Sequence, residues 1–258
     1  MAVRSGALNL HRKNSIKAQS ADIKRSFNKS DILSLSEVHG KELAQWAREN
    51  GYGYHKGPDD TAIIWKPQKV RLVEGTQGAE QLNDTRGKAG GMRRRKAAYA
   101  QFVDAESGKK FWQVSAHTTP PNQGSERRRK QIRKEQYQSL RQLANKLGGP
   151  VLIAGDLNHR DPNLGKMESG FDGGIMHVVG SGASAVDLDR IGQKKLNSDH
   201  AAVFTSYNLD GGGNDRVDLE SDGGGMPKGG GDRRRRKRRG GQGGLGAVEV
   251  DPKNASGG

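Results

Sequence analysis

Apolar and polar positions along this chain fall into short runs whose period switches several times between that of a strand and that of a helix. Residues 3–10 read as a first strand ending at Asn9. Residues 17–30 are mostly polar, with Ala18, Ile23 and Phe27 placed for a helix. Asp31-Ile32-Leu33-Ser34-Leu35-Ser36-Glu37-Val38 alternates, the pattern of a half-buried strand. Residues 42–50 predict a helix with Leu43, Trp46 and Ala47 on one face and Gly51 as its stop. Residues 61–65 and 70–73 predict a strand pair broken at Pro67, and residues 97–104 and 110–116 flank Ser107-Gly108, a hairpin signal. A long basic helix over 123–147 leads through Gly148-Gly149-Pro150 into the apolar run Val151-Leu152-Ile153-Ala154. Residues 186–191 and 201–206 complete the strands. Strands interspersed with helices imply an α/β or α+β domain with packed sheets.

The pattern stops after residue 207. Of the 38 glycines, 16 fall in residues 208–258, where few large apolar residues interrupt them. Such a segment cannot offset its ordering entropy, so a disordered tail is expected after a folded domain at 1–207. Charge sharpens that division. The net charge is +15, and residues 208–258, with ten Lys/Arg against eight Asp/Glu, account for only +2 of it. A strongly basic folded part favours a polyanionic partner, nucleic acid above all and DNA in the first place. With no cysteine there are no disulfides and no thiolate metal sites. No apolar run follows Met1-Ala2-Val3-Arg4-Ser5-Gly6, and none approaches the ~20 residues that cross a bilayer. A cytoplasmic monomer without a membrane partner is the expectation.

Five polar landmarks stand at strand ends: Asn9, Glu37, His117, Asp156 with Asn158, and Asp199 with His200. Each alone is an ordinary turn or edge residue. A strand ending in a carboxylate and a carboxamide fixes two polar groups at one sheet edge. An Asp-His pair opening another strand adds a titratable base, and the combination suits metal-assisted attack on a phosphate ester. In this order the landmarks resemble the endonuclease/exonuclease/phosphatase superfamily, the deoxyribonuclease I-like fold. The resemblance rests on Leu8-Asn9-Leu10, Leu35-Ser36-Glu37-Val38, Ser115-Ala116-His117, Gly155-Asp156-Leu157-Asn158, Leu188-Asp189-Arg190-Ile191 and Ser198-Asp199-His200.

The resemblance implies a four-layer sandwich of two packed, mostly antiparallel sheets flanked by helices. It implies that Glu37 is the main ligand of a Mg²⁺ or Mn²⁺ ion, with Asn9 beside it and Asp199 in support. It makes His200 the general base and Asp189 the carboxylate that orients it, in preference to Asp187. Asp156 and Asn158 orient the nucleophile and stabilise the transition-state charge, and His117 faces the leaving group. The family often has Gln directly before the metal Glu, where this chain has Ser36. The abasic-site endonuclease branch uses a catalytic Tyr in the middle of the chain, whereas His117 stands where the non-specific nucleases and the phosphatase and sphingomyelinase branches keep a His, which argues against the abasic-site branch.

Basic runs extend the reading. Arg93-Arg94-Arg95-Lys96 follows a glycine-bearing loop, and Arg127 and Arg128 open the basic helix. All six are expected to touch a phosphate backbone. The run at 233–239 in the tail reads as a tethered nucleic-acid arm or a localisation signal. The leading function is a metal-dependent nuclease acting on DNA. The alternatives are a phosphatase or lipid phosphodiesterase of the same fold, and a catalytically silent nucleic-acid-binding protein.

Overall fold

The computed structural model describes residues 2–84, 94–120, 125–169 and 174–210. Arg93 and the tail run at 233–239 lie outside the described residues. The chain forms, in order, β1 (Ala2–Asn9), α1 (Ile16–Ser26), β2 (Ile32–Ser36), α2 (Glu42–Glu49), β3 (Gly53–Lys56), β4 (Thr61–Trp65), β5 (Val70–Leu72) and β6 (Gly78–Gln81). It continues with β7 (Lys96–Asp104), β8 (Lys110–His117), α3 (Glu126–Leu147), β9 (Val151–Asp156), β10 (Glu168–Ser169), β11 (Met176–Ser181), β12 (Ser184–Ile191) and β13 (Ala202–Asn208).

The strands build two sheets, ordered β12-β13-β1-β2-β4-β3 and β10-β11-β9-β8-β7-β5, with β6 also paired to β7. Neighbours are antiparallel except β1 with β2 and β8 with β9. Parallel strands need a crossover, and α1 and α3 supply one for each sheet. Both helices start at a serine, Ser15 and Ser125, whose Oγ accepts from the backbone N–H of Ala18 and Arg128. Gly148 and Gly149, at φ 66° and 67°, end α3 at the stop expected from the sequence.

Three apolar clusters make the layers. Leu8, Leu33, Ile64 and Phe204 of the first sheet meet Ile23 and Phe27 of the α1 region and Leu43 and Ala47 of α2. Val114, Val151 and Ile153 of the second sheet meet Tyr137, Leu140 and Ala144 of α3. Between the sheets lie Ile32, Ile63, Phe102, Phe111, Leu152 and Tyr207, with Trp65 edge-on to Phe102 at 5.0 Å. Each such aliphatic or aromatic burial contributes roughly 1.5–3 kcal/mol, so the four-layer sandwich follows from strands that are apolar on both faces.

A polar seam crosses this inner core. Ser5 Oγ donates to Gln113 Oε1 at 3.0 Å, and Gln113 Nε2 donates to Ser34 Oγ at 2.9 Å. Ser115 Oγ donates to the Leu35 carbonyl at 3.2 Å, and the Asp156 N–H donates to Ser36 Oγ at 3.3 Å. Satisfied bonds in a dry interior demand a defined geometry, so the seam fixes the register of one sheet on the other. Ser36 thus ties the strand before Glu37 to the strand that ends in Asp156.

Two sequence expectations change. The strands at 61–65 and 70–73 are not a pair: β4 joins β2 in the first sheet, whereas β5 joins β7 in the second. The turn at Lys66-Pro67 carries the chain between layers, because β4 is apolar enough to be covered on both faces. The boundary at residue 207 also moves, since β13 runs to Asn208 and Leu209 still packs into the inner core. Strands β3, β6, β10 and β11 escape the periodicity. The first two are short and half-buried, β10 has two residues, and β11 is punctuated by His177 and Gly180.

Candidate active site

The two parallel pairs decide where the chemistry gathers. Their register sets Asn9 beside Ser36 and His117 beside Asp156, so all four strands end at one edge of the sandwich. An antiparallel neighbour brings its start to the same edge. β4 does so beside Ser36, where Thr61 pairs, and delivers Asp60. β13 does so beside Ala7, where Val203 pairs, and delivers Asp199 and His200.

Asn9 is the hub. Fully buried, it donates from Nδ2 to Glu37 Oε1 at 3.2 Å and to Asp156 Oδ2 at 3.1 Å. Its Oδ1 accepts from the His11 N–H at 2.8 Å, and Glu37 Oε2 accepts from the Arg12 N–H at 3.0 Å. Asp156 repeats the device in the other sheet, its Oδ1 accepting from the Asn158 N–H at 3.0 Å. Such side-chain-to-backbone turns tolerate left-handed residues. Among the described residues the non-glycine positions with positive φ are His11, Glu37 and Asn158, at 51°, 59° and 51°, and all three belong to this edge. Conformations that L-residues disfavour persist where surrounding bonds over-determine them. Gly155 is required beside the same turn, because a Cβ there would stand 1.9 Å from the Ala116 carbonyl oxygen of β8.

Two imidazoles flank the hub, each on a carboxylate. His200 Nδ1 donates to Asp199 Oδ1 at 2.7 Å, and its Nε2 stands 3.6 Å from Asp156 Oδ2. Burial alone would raise the Asp199 carboxyl, but His200 and then His11, 4.0 Å away, outweigh it and hold the group below its ordinary range. His117 Nδ1 faces Asp60 Oδ2 at 2.9 Å. Arg95 Nη1 reaches the two Asp60 oxygens at 3.0 and 3.2 Å and stands 3.2 Å from His117 Nδ1. We assign the Nδ1 proton to His117, donating to Asp60, with Arg95 completing the shared carboxylate. Burial raises the Asp60 carboxyl, yet His117 and Arg95 together hold it far below the usual carboxylate range.

The sequence-predicted residues Asn9, Glu37, His117, Asp156, Asn158, Asp199 and His200 therefore converge. Asp189 does not join them. Its register partner is Phe204, well inside β13, and its carboxylate pairs with Lys29 just after α1. The carboxylate on the His200 ring is Asp199, the preceding residue. Asp187, opposite Ser206, lies further along the strand still. Arg95 is also corrected. It is 7% exposed and spends its guanidinium on Asp60, so it faces inward rather than toward a phosphate backbone. Arg94, Arg127 and Arg128 are exposed, and Lys96 is half-buried at the start of β7.

Sequence reasoning missed Asp60 and Asp22. Asp60 had a signal, an acidic residue directly before the apolar run of β4. Asp22 had none. Buried in α1, its carboxylate accepts from the N–H groups of Asn197, at 2.9 and 3.0 Å, and Ser198, at 3.1 Å. It thereby anchors the loop that carries Asp199 and His200.

The carboxylates at this edge, Glu37 and Asp199, are hard donors. Asn9, expected beside the ion, turns Nδ2 to Glu37 and Asp156 and gives its Oδ1 to the His11 N–H, so it orients a ligand rather than serving as one. Among the described residues no three His, Cys, Asp or Glu side chains form a closed metal cage. An ion that takes one or two carboxylates and keeps its own waters fits such an edge; a caged ion does not. No helix among the described residues is long and apolar enough to cross a membrane.

Comparison with known proteins agrees with this architecture. A family model described as the Endonuclease/Exonuclease/phosphatase family matches residues 6–200. Among solved structures, D. rerio TDP2 complexed with a single-strand DNA product is 17% identical with a TM-score of 0.60, covering 80% of this chain and 99% of that one. The human Nocturnin catalytic domain is 15% identical with a TM-score of 0.62, covering 80% and 93%. The Bacteroides thetaiotaomicron mannosyl-6-phosphatase Bt3783 is 16% identical with a TM-score of 0.58, covering 80% and 99%. At these identities the likeness is one of fold. No curated protein sequence matches the chain.

Proposed function

Because this chain belongs to the endonuclease/exonuclease/phosphatase family, whose members are phosphoesterases, we propose that it is a metal-dependent nuclease hydrolysing phosphodiesters of DNA. The observation that carries the reading is the shared edge: a buried hub joining Glu37 to Asp156, with a carboxylate-oriented imidazole on either side. The charge of +15 supports a polyanionic substrate.

In this reading His200 takes a proton from water at Nε2. Asp199 on Nδ1 and Asp156 near Nε2 stabilise the imidazolium that forms. Asn158, whose Nδ2 is tied to the Thr118 carbonyl at 3.0 Å, keeps the Asp156 turn in place while the attacking water is oriented. His117, held by Asp60, donates to the leaving-group oxygen. Glu37 and Asp199 would hold a divalent cation, Mg²⁺ in the first place, with Asn9 orienting the Glu37 carboxylate through Nδ2. When bound there, such an ion would neutralise charge on a phosphoryl oxygen and acidify water.

A second reading has one specific support, the mannosyl-6-phosphatase among the similar structures: the same edge would act on a small phosphomonoester. One assay separates them. Purified protein is offered supercoiled plasmid, linear duplex, single-stranded RNA and a generic phosphomonoester, each with Mg²⁺ or EDTA. DNA cleavage with Mg²⁺ alone is expected, and Glu37→Gln should lose a factor of about 10²–10³ without losing its fold. Turnover of the monoester alone would install the second reading, and full activity in EDTA would remove the metal.

A further inference from the structure

The basic helix does not present one uniform charged face. Positions 130, 133, 134, 137 and 141 of α3 follow the three- and four-residue spacing of a single stripe. They line a recess of about 270 Å³ against the segment that follows Asn158. Four cationic side chains, Lys130, Arg133, Lys134 and Arg141, stand there with Tyr137 and His159, against one carboxylate, Asp161. The neighbouring stripe, which includes Arg128, lines a different recess of about 510 Å³ with Asp84, Glu135 and several Gln side chains. There the acids outnumber the base. Helical periodicity thus sorts a run that looks continuous in sequence into a strongly positive groove and a nearly neutral one.

The positive recess is a built feature. Arg141 is 1% exposed and its Nη1 donates to the Asn163 carbonyl at 2.8 Å, which fixes the far wall. Tyr137 Oη donates to the Leu157 carbonyl at 2.9 Å, and its ring meets His159 edge-on at 6.5 Å. His177 Nε2 sits 2.7 Å from the His159 carbonyl. Since Leu157 and His159 flank Asn158, this wall is continuous with the Asp156-Asn158 turn.

We propose that this recess binds a non-scissile backbone phosphate of a nucleic-acid strand whose neighbouring phosphate lies at the Asn9–Glu37–Asp156 edge. The proposal rests on the nucleic-acid reading of that edge for its substrate class. Lys130, which pairs with Glu126 at 2.8 Å at the surface, supplies with Arg133 and Lys134 the cations that meet the phosphate. Arg141 and Tyr137 shape the wall. Arg128 lies on the other stripe and contributes little.

The test reads binding apart from cleavage. A labelled single-stranded DNA of about 20 nucleotides is titrated by anisotropy in EDTA across a salt series. The proteins are the full chain, a Lys130→Ala/Arg133→Ala/Lys134→Ala variant, and an Arg128→Ala control. The stripe variant should bind about tenfold or more weaker, with a log–log salt slope shallower by roughly 0.7 for each phosphate it no longer neutralises, and the control should stay within about threefold. Hydrolysis of a small chromogenic diester with Mg²⁺ should be unchanged in the stripe variant. Wild-type-like binding by the stripe variant, an equal loss in the control, or no binding by the wild type would each overturn the proposal. If the wild type binds in the expected pattern but cleaves no nucleic acid, the recess stands and the nuclease reading falls.

Discussion

The two histidines of the edge share one chemical device in two opposite settings. His117 ends a central strand, is 4% exposed, and takes its carboxylate from another sheet, with a buried Arg95 behind it. His200 lies in a loop before β13, with its side chain 23% exposed, and takes its carboxylate from the residue beside it. The inner pair therefore belongs to the packing of the sandwich as well as to the site. The outer pair belongs to the site alone and is open to water. A group's cost on removal and its chemical role thus need not travel together. Removing a partner from a buried charged set leaves the rest uncompensated, whereas a half-exposed pair is screened.

The largest effect should come from the rings themselves. His200→Ala and His117→Ala should each lower kcat by about 10² or more, as losing a general base or acid does. Only His117→Ala should also lower the melting temperature. Thermal denaturation of both variants checks this, and equal losses of stability would break the contrast.

Next comes the carboxylate behind each ring. Asp60→Asn leaves Arg95 buried without its counter-charge and should cost about 2–4 kcal/mol in denaturant unfolding, while Asp199→Asn should leave stability nearly unchanged and act on kcat. Asp60 has its folded pKa depressed, so its contribution is complete above the unfolded value of about 3.9 and is lost as pH falls through the folded one. The stability gap between wild type and Asp60→Asn should stay constant from pH 7 to about 5 and close below about pH 4. A gap that widens in acid would reverse the assignment.

A smaller effect tests how the outer pair is held. Asp22→Ala removes the acceptor that anchors Asn197 and Ser198, and kcat should fall by about tenfold, as a misplaced catalytic group implies, with KM on a small diester little changed. The smallest effect belongs to Asp189→Asn. Its carboxylate pairs with Lys29 at the surface, so activity should stay within about twofold. A large loss there would restore Asp189 as the partner of His200 and break the account of the outer pair.

Much of this was legible in the chain. Strand and helix periods placed β1, β2, β4, β7, β8, β9 and β13, with α1, α2 and α3, to within a few residues, because those elements bury apolar side chains on a regular spacing. The landmarks Asn9, Glu37, His117, Asp156, Asn158, Asp199 and His200 were legible because each stands at or beside the end of such a run. Edge strands such as β3 and β6 were not, since half their surface faces water and their composition is that of loops.

From the sequence come the local facts: which residues bury, where each strand ends, and which polar groups stand at those ends. Which ends share an edge, and which acid meets which ring, was settled by tertiary structure. Asp189 and Asp199 are both carboxylates near strand boundaries; register sets Asp189 beside Phe204 and within reach of Lys29, which leaves His200 to its chain neighbour Asp199. Asp60 and Asp22 reach the site from separate elements, and Arg95, read as a surface cation, turns inward because a partly buried carboxylate across the sheets offers it a partner. Pairing register and sheet-on-sheet contact join residues far apart in sequence, and no short-range pattern encodes them.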